Sequence, residues 1–265
     1  MNETIKKIAV EAHNVTVAYN QKPVLWNVDF TLPEGNLIGI IGPNGSGKST
    51  LLKSIMGLTT LSSGYIRLFG QTLEAVRSRI SYVPQRETVD WDFPASVFDV
   101  ALMGRYTRGN LFGRLSTLDK EIAAEALRKV NLLDYKNRQI SQLSGGQQQR
   151  VFIARALAQQ ADLYIMDEPF AGVDAATENT ILELLTELKN EGKTLLVVHH
   201  DLQSAERFFD WIVLLNTRLV ASGTKNEVFT SELLQEAYSG KLNLLSQMGE
   251  LLKQKQFPIR EKKQY

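Results

Sequence analysis

The residues with the clearest chemical potential form a glycine-rich stretch at positions 42–50. Its members are Gly42, Pro43, Asn44, Gly45, Ser46, Gly47, Lys48, Ser49 and Thr50. They match the pattern G-x-x-x-x-G-K-[ST] and stand between a strand-like run (residues 36–41) and a helix-forming run (residues 50–56). The stretch therefore predicts a phosphate-binding loop in which every residue except Pro43 is a candidate ligand of a nucleotide.

The residue types of this loop are suited to binding a triphosphate. Gly42, Gly45 and Gly47 allow backbone N–H groups to approach a triphosphate closely, and the helix that follows directs its positive end at the phosphates. Lys48 can bridge the β- and γ-phosphates, and the Ser49 hydroxyl can coordinate Mg²⁺. A plain glycine-rich turn with a solvent-exposed lysine is the alternative, and it does not explain the strand–loop–helix context.

Two acidic residues follow a strongly apolar run at residues 163–166. Ligands of open α/β sheets bind at the carboxyl ends of the strands, so Asp167 is a candidate Mg²⁺ ligand and Glu168 a candidate group for orienting an attacking water. Neighbouring residues of a strand point to opposite sides, which allows the two carboxylates to have separate roles. An ordinary solvated turn is the alternative, and the phosphate loop in the same chain argues against it.

A second set of residues suited to anions precedes a helical run at residues 147–158. It consists of Leu143, Ser144, Gly145, Gly146 and Gln147. A serine hydroxyl, two glycines that expose backbone N–H groups and a helix N-terminus together suit a phosphate. A simple N-cap would need only the serine. Two phosphate-binding devices for one nucleotide are unexpected unless each contacts a different face of it.

The elements around these motifs predict an α/β fold with a mostly parallel sheet. Strand-like runs lie at residues 9–19, 24–32, 65–69, 80–83, 194–198, 211–215 and 218–221, and helical runs at residues 175–190 and 202–209. The first two strands predict an antiparallel layer. Helical spacing without strands at residues 96–105, 118–130 and 147–158 predicts a helical subdomain inserted at residues 87–157.

The composition excludes several classes of function. The 265 residues are 43% hydrophobic and 22% charged, which is typical of a globular protein, and the net charge of +1 gives no general case for nucleic acid as a partner. The absence of cysteine excludes disulfides, thiol catalysis and cysteine zinc sites. We see no signal peptide and no apolar run near the ~20 residues that span a bilayer.

In combination, these motifs resemble those of the ATP-binding subunits of ABC transporters. GPNGSGKST, LSGGQ and LYIMDEP occur in the family's order, and the resemblance extends over about residues 8–230. It implies a P-loop ABC-type core (residues 1–86 and 158–230), the helical subdomain at 87–157, and a C-terminal helical extension with a basic tail at 231–265. Val173 departs from the leucine of many members, which has little effect on the assignment.

The resemblance also assigns roles to residues outside the three motifs. It implies that Tyr19 stacks on adenine, that Gln85 contacts Mg²⁺ and the attacking water, that Asp174 is the aspartate of the D-loop, and that His200 is the switch histidine. His200 is chosen over His199 because the family places its histidine directly before an aspartate. Taken alone, Tyr19 can also be a strand residue and Gln85 a turn residue.

The family likeness implies a mechanism and partners. Two copies are expected to pack head to tail, so that Ser144, Gly145, Gly146 and Gln147 of one copy complete the ATP site of the other. ATP and Mg²⁺ are the expected ligands. A polytopic permease is the expected membrane partner, with an external metal-binding protein acting indirectly, at the cytoplasmic face of the membrane and without nucleic acid.

Within the family, residues 87–106 and the segments DEPFAGVD and HHDL resemble the importer branch for manganese, zinc or iron, with manganese first. Trp91 and Phe93 are expected to form a groove for the permease, to be local core, or to do both. An importer of another substrate, a soluble ABC ATPase and a metabolic P-loop kinase are the alternatives, and the kinase leaves LSGGQ unexplained. The final residues, 253–265, carry five Lys/Arg and one Glu, which predicts a frayed terminus or a contact with anionic lipid.

Overall fold

The computed structural model describes residues 7–106 and 115–238. In this part of the chain the strands are β1 Ile8–Tyr19, β2 Lys22–Pro33, β3 Leu37–Ile41, β4 Ser63–Leu68, β5 Ile80–Val83, β6 Leu163–Asp167, β7 Thr194–Val198, β8 Trp211–Asn216 and β9 Arg218–Thr224. The helices are α1 Lys48–Ile55, α2 Leu73–Val76, α3 Val97–Met103, α4 Thr117–Lys129, α5 Gly145–Ala158, α6 Ala175–Asn190, α7 Leu202–Phe208, α8 Lys225–Val228 and α9 Ser231–Tyr238.

Residues 7–106 and 115–238 form two sheets. The larger has the strand order β5-β6-β7-β3-β8-β9, parallel except for the β8–β9 pair, and the smaller has the antiparallel order β2-β1-β4. Strands β3, β6 and β7 are buried at every residue, because both faces of a parallel sheet are covered and continuous apolar runs are stable there. The prediction of a mostly parallel α/β core with an antiparallel layer is confirmed.

The register of β7 aligns the two strands that carry the motifs. Val198 pairs with Ile40 of β3 on one side and with Asp167 of β6 on the other. The loop that follows β3 and the carboxylate that ends β6 therefore lie at the same level of the sheet edge. A shift of one residue in either pairing would displace them along the strand by roughly 3.3 Å.

Helices α3, α4 and α5 pack against one another. Their buried residues belong to one hydrophobic cluster, which also contains Leu195 and Val197 from one face of the large sheet and Phe209 from the segment after α7. A second cluster joins α1, the antiparallel sheet and the opposite sheet face. The division into a nucleotide core and a helical subdomain at residues 87–157 stays a prediction.

Element boundaries differ from the sequence prediction at a few places. Helix α1 begins at Lys48 rather than Thr50, because the left-handed Gly47 is its N-cap. Strand β9 continues to Thr224, which pairs with Trp211, although its last residues are small and polar. The four residues of α2 are too few for a helical period to be visible. The predicted basic tail at 253–265 lies outside the described residues, and the C-terminal extension is described only as α9.

Across residues 7–106 and 115–238, no helix combines the length and the hydropathy needed to cross a lipid bilayer.

Candidate active site

The phosphate loop joins β3 to α1 in a conformation that needs glycine. Gly45 and Gly47 have φ angles of 83° and 97°, a left-handed backbone that side chains disfavour. At Gly47 an added Cβ would lie 2.6 Å from Leu25 Cδ2 and 2.8 Å from the Val24 carbonyl oxygen. Strand β2 therefore packs directly under the loop and fixes its shape.

Lys48 is buried at the first position of α1. Its ammonium donates hydrogen bonds to the carbonyl oxygens of Gly42 at 3.0 Å and Pro43 at 2.9 Å. Burial lowers the pKa of Lys48, and the carboxylates of Glu168 and Asp167 act in the opposite direction. The cation is thus held on the loop by its own backbone, where phosphate oxygens can replace those carbonyls as its partners.

Asp167 and Ser49 meet although 118 positions separate them in the sequence. The Ser49 hydroxyl donates to Asp167 Oδ1 at 3.0 Å. Burial raises the pKa of Asp167, the Ser49 hydrogen bond opposes this, and the nearby Glu168 adds to it. A buried carboxylate beside a hydroxyl is an oxygen donor set that suits a hard divalent cation such as Mg²⁺.

Glu168 and Gln85 are in contact with each other. Gln85 Nε2 donates to Glu168 Oε2 at 3.3 Å. Glu168 has a φ of 50°, an uncommon conformation for a residue with a side chain, and such backbone strain occurs preferentially at functional positions. Asp167 is buried beside Ser49 while Glu168 reaches the cleft, so the two adjacent carboxylates occupy different environments.

A cleft of about 530 Å³ brings together most of the predicted residues. It is lined by Val24, Asn44, Gly45, Gly47, Lys48, Ser49, Thr50, Gln85, Glu168 and His200. Gly42 and Ser46 are buried within the loop rather than exposed to the cleft. Val24 and Leu25 were not predicted, because an apolar residue of a strand carries no local signal that it supports a loop.

Tyr19 does not line this cleft. It lies in a second groove of about 620 Å³ together with Ala18, Lys53, Leu58, Thr59 and Thr60. The side chain is 48% exposed, and its hydroxyl is 3.4 Å from Thr59 Oγ1. Its role in adenine stacking stays a prediction.

The LSGGQ residues also lie outside the cleft of their own chain. Ser144 caps α5 in a reciprocal capping box: its Oγ accepts from the Gln147 amide at 3.4 Å, and Gln147 Oε1 accepts from the Ser144 amide at 2.9 Å. Gly145 packs against the Arg86 guanidinium, and Gly146 faces Val173. One chain therefore does not use both phosphate-binding devices in one pocket.

Asp174 caps helix α6. Its two carboxylate oxygens accept hydrogen bonds from the Thr177 amide at 2.9 Å and the Thr177 hydroxyl at 3.0 Å. The amide hydrogen bond is the main reason that the pKa of Asp174 is lowered. The structure thus gives Asp174 a capping role, and its D-loop role stays a prediction.

His199 and His200 have different environments. His200 is exposed at the cleft, whereas His199 is buried between the rings of Phe170 and Phe209, at centroid distances of 5.2 and 5.8 Å. The Ser204 hydroxyl donates to Asp201 at 2.5 Å and therefore accepts from His199 Nε2, also at 2.5 Å. The buried ring anchors the segment that presents His200.

We expect His199 to make the protein less stable in acid. Burial lowers its pKa to about 4, the neighbouring His200 adds to the shift, and Asp201 opposes it. The unfolded chain binds this proton near pH 6.5 and the folded chain only near pH 4, so stability falls as the pH drops through that window, by about 3 kcal/mol in full. Urea unfolding at several pH values measures this.

His199→Asn is expected to flatten the pH dependence of unfolding between pH 6.5 and 4, and His13→Asn on the antiparallel sheet serves as the control. An unchanged slope in His199→Asn contradicts the assignment.

Comparison with known proteins agrees with this geometry. The family model described as ABC transporter matches residues 25–171. The chain belongs to the ABC transporter family. The match extends from β2 under the phosphate loop to just beyond the carboxylates of β6, so the predicted resemblance to ABC ATP-binding subunits is confirmed, and a metabolic kinase is excluded.

Two curated proteins and one solved structure illustrate the similarity of this chain to known proteins. The chain is 61% identical over 236 residues to the manganese transport system ATP-binding protein MntB of Bacillus subtilis (89% of this chain, 94% of that protein). It is 57% identical over 235 residues to the zinc transport system ATP-binding protein TroB of Treponema pallidum (89% and 88%). An ATP-binding cassette solved as a dimer in a post-hydrolysis state with ADP and phosphate has 31% identity and a TM-score of 0.70, covering 82% of this chain and 98% of that one.

Proposed function

We propose that this chain is the ATP-hydrolysing subunit of an ABC importer for manganese, with zinc or iron as the next candidates. The main support is the 61% identity to a manganese transport ATP-binding protein across 89% of this chain. The relative named for zinc transport is only slightly less similar, at 57%. The ATPase subunit does not contact the transported ion, so the choice of metal belongs to the partner proteins.

Mg²⁺ fits the residues that the cleft provides. Ser49, Gln85 and Asp167 would hold it, and the buried Asp167 carboxylate beside a hydroxyl supports this assignment. When bound, the ion neutralises charge on the β- and γ-phosphate oxygens. Lys48 and the loop amides at Gly45 and Gly47 bind the same phosphates from the protein side, together with Asn44, Ser46 and Thr50.

Glu168 is the proposed general base for the attacking water. Its carboxylate lies at the cleft, and its hydrogen bond from Gln85 orients it. His200 faces the same cleft and would donate a hydrogen bond to the γ-phosphate. The three side chains line the same cleft, where they would position water for in-line attack on the γ-phosphate.

The active form is proposed to be a head-to-tail dimer. Ser144 and the neighbouring Gly145, Gly146 and Gln147 lie outside their own chain's cleft. They form the N-terminus of α5, and a helix N-terminus suits a phosphate. In a two-fold dimer they can complete the partner's site, with Asp174 at the interface and Tyr19 at the adenine. The dimeric cassette among the structural relatives supports this arrangement.

A small apolar pocket is the proposed contact for a membrane permease. It has a volume of about 220 Å³ and is lined by Val89, Asp90, Trp91, Phe93, Val100, Met103, Ile140, Phe152 and Arg155. Trp91 packs edge-on against Phe152 at 5.0 Å, so it is partly local core. Phe93 is 54% exposed and available to a partner. Docking there would hold the chain at the cytoplasmic face of the membrane.

Metal uptake in cells that lack this chain tests the proposal. We expect uptake of radioactive manganese to fall severalfold and to return with the wild-type chain but not with Glu168→Gln, since import needs hydrolysis. Zinc and iron uptake, measured in the same cells, decide among the metals. Normal uptake of all three contradicts the proposal.

Membrane association provides the second test, in the same cells. Recovery in the membrane fraction should require the permease and should decrease for Phe93→Glu. Leu118→Glu, which changes a similarly exposed residue of α4, is the matched control. Stable association with nucleic acid instead of membrane would indicate a soluble ABC ATPase.

A further inference from the structure

Helix α9 docks beside the phosphate loop, at the end of β8. Ala237 is fully buried, and Leu233, Leu234 and Tyr238 pack against the core cluster that covers one face of the large sheet. The Asn216 side chain, at the end of β8, donates to the Ala237 carbonyl oxygen at 2.9 Å. The C-terminal helix is thus attached to the turn between β8 and β9.

The same turn holds the phosphate loop. The Thr217 amide donates to the Ser46 carbonyl at 2.9 Å, and an added Cβ at Gly42 would lie 2.0 Å from the Leu215 carbonyl oxygen. The loop backbone and the turn are therefore in direct contact on both sides of Pro43–Gly45. Any displacement of the turn must move the loop, because close-packed backbone has no room to absorb it.

Tyr238 reaches the loop directly. Its hydroxyl is buried and makes no hydrogen bond of standard geometry within residues 7–106 and 115–238. Burial raises the pKa of Tyr238 to about 12, and the backbone of Gly42 acts on the hydroxyl in the opposite direction. The group is therefore a neutral phenol placed against Gly42.

Gly42 connects Tyr238 to the lysine of the loop. Its carbonyl oxygen accepts a hydrogen bond from Lys48 Nζ at 3.0 Å, and its backbone is the group that faces Tyr238. One series of contacts therefore connects α9 to Lys48 through Tyr238 and Gly42. A second runs from Ala237 through Asn216 to the β8–β9 turn and Ser46.

We propose that α9 is a nucleotide-affinity element in which Tyr238 and Asn216 position the phosphate loop. Tyr238 is a positioning residue, since it acts through Gly42 and does not line the cleft. A loop released from α9 must pay ordering entropy when it closes on phosphates, which weakens binding more than it slows the chemistry of bound ATP. This inference rests on the proposed ATP site.

Variants of the full-length chain test the proposal. The affinity for a fluorescent ATP analogue, KM and kcat for ATP, and thermal unfolding are measured for Tyr238→Ala, Tyr238→Phe and Asn216→Ala. We expect Tyr238→Ala to raise Kd and KM about 5- to 30-fold, with kcat at saturating ATP within about 2-fold of wild type. Asn216→Ala should raise Kd about 2- to 10-fold, as for the loss of one hydrogen bond.

Tyr135→Ala is the control for a general loss of stability, because Tyr135 is also a partly buried tyrosine packed against this core cluster but belongs to the segment between α4 and α5. It should lower the unfolding temperature but leave Kd unchanged. A raised Kd in Tyr238→Ala supports the proposal whether or not Tyr238→Phe restores the affinity. The Phe variant shows how much of the effect comes from the hydroxyl and how much from the ring. Wild-type Kd in Tyr238→Ala overturns it. A wild-type chain that binds no nucleotide overturns the proposed function instead.

Discussion

Replacing Glu168 with Gln is expected to lower ATP turnover by about 10²–10⁴, the usual range for loss of a general base. The amide keeps the shape of the side chain and its contact with Gln85, but it cannot take a proton from water. ATP binding should remain, because Lys48, Ser49 and the loop amides are unchanged. Phosphate release from the purified chain measures turnover, and equilibrium titration measures binding.

The variant should also accumulate as an ATP-loaded dimer, since hydrolysis is the step that removes the bridging γ-phosphate. Size-exclusion chromatography with ATP shows this directly. Adding Ser144→Arg to Glu168→Gln should abolish the dimer, because a large side chain replaces the proposed phosphate ligand of the partner site. Glu183→Gln changes an exposed glutamate of α6 and is the matched control. Wild-type turnover in Glu168→Gln refutes the proposed base.

Replacing Lys48 with Ala is expected to weaken ATP binding about 10- to 100-fold and to reduce turnover at least as strongly. Hydrogen bonds to charged groups contribute about 1.5–3 kcal/mol, and this ammonium is buried where the phosphates would lie. Nucleotide titration and ATPase assays measure the two effects. Lowered affinity is the expected primary defect, because in the proposed site Lys48 would bind the phosphates in the ground state as well as in the transition state.

The controls for Lys48→Ala must distinguish the loss of a charged phosphate ligand from a loss of folding stability. Lys48 also holds the carbonyls of Gly42 and Pro43, so its loss can loosen the loop. Thermal unfolding reports that effect, and Lys120→Ala on the exposed face of α4 tests removal of a lysine elsewhere. Unchanged ATP affinity and turnover in Lys48→Ala contradict its assignment as a phosphate ligand.

The local motifs of the cleft could be predicted because each is contiguous in the sequence. The loop at 42–50 and the Asp167–Glu168 pair follow continuous apolar strands, and strands of that kind belong to a covered parallel sheet whose carboxyl ends meet at one edge. The 3.0 Å contact of Ser49 with Asp167 also forms because the carboxyl ends of these strands meet at one edge.

The parts that the sequence could not show are contacts between distant segments without a pattern of their own. Leu25 supports Gly47 through side-chain packing, and the β8–β9 turn holds Ser46 through a backbone amide. Almost any residue type can make a backbone hydrogen bond, so the residue type does not reveal one. Tyr238 is one of the eight tyrosines of the chain and ends the short helix α9. Only its place beside Gly42 distinguishes it.

The capping box of α5 restricts which residues can replace Ser144. Its Oγ accepts a hydrogen bond from the helix amide of Gln147, which leaves its own hydrogen to be donated outward, for instance to a phosphate of the partner site. Aspartate would retain the cap but repel the phosphate, and alanine would provide neither interaction. Random mutagenesis with selection for transport should therefore return only hydroxyl-bearing residues at this position.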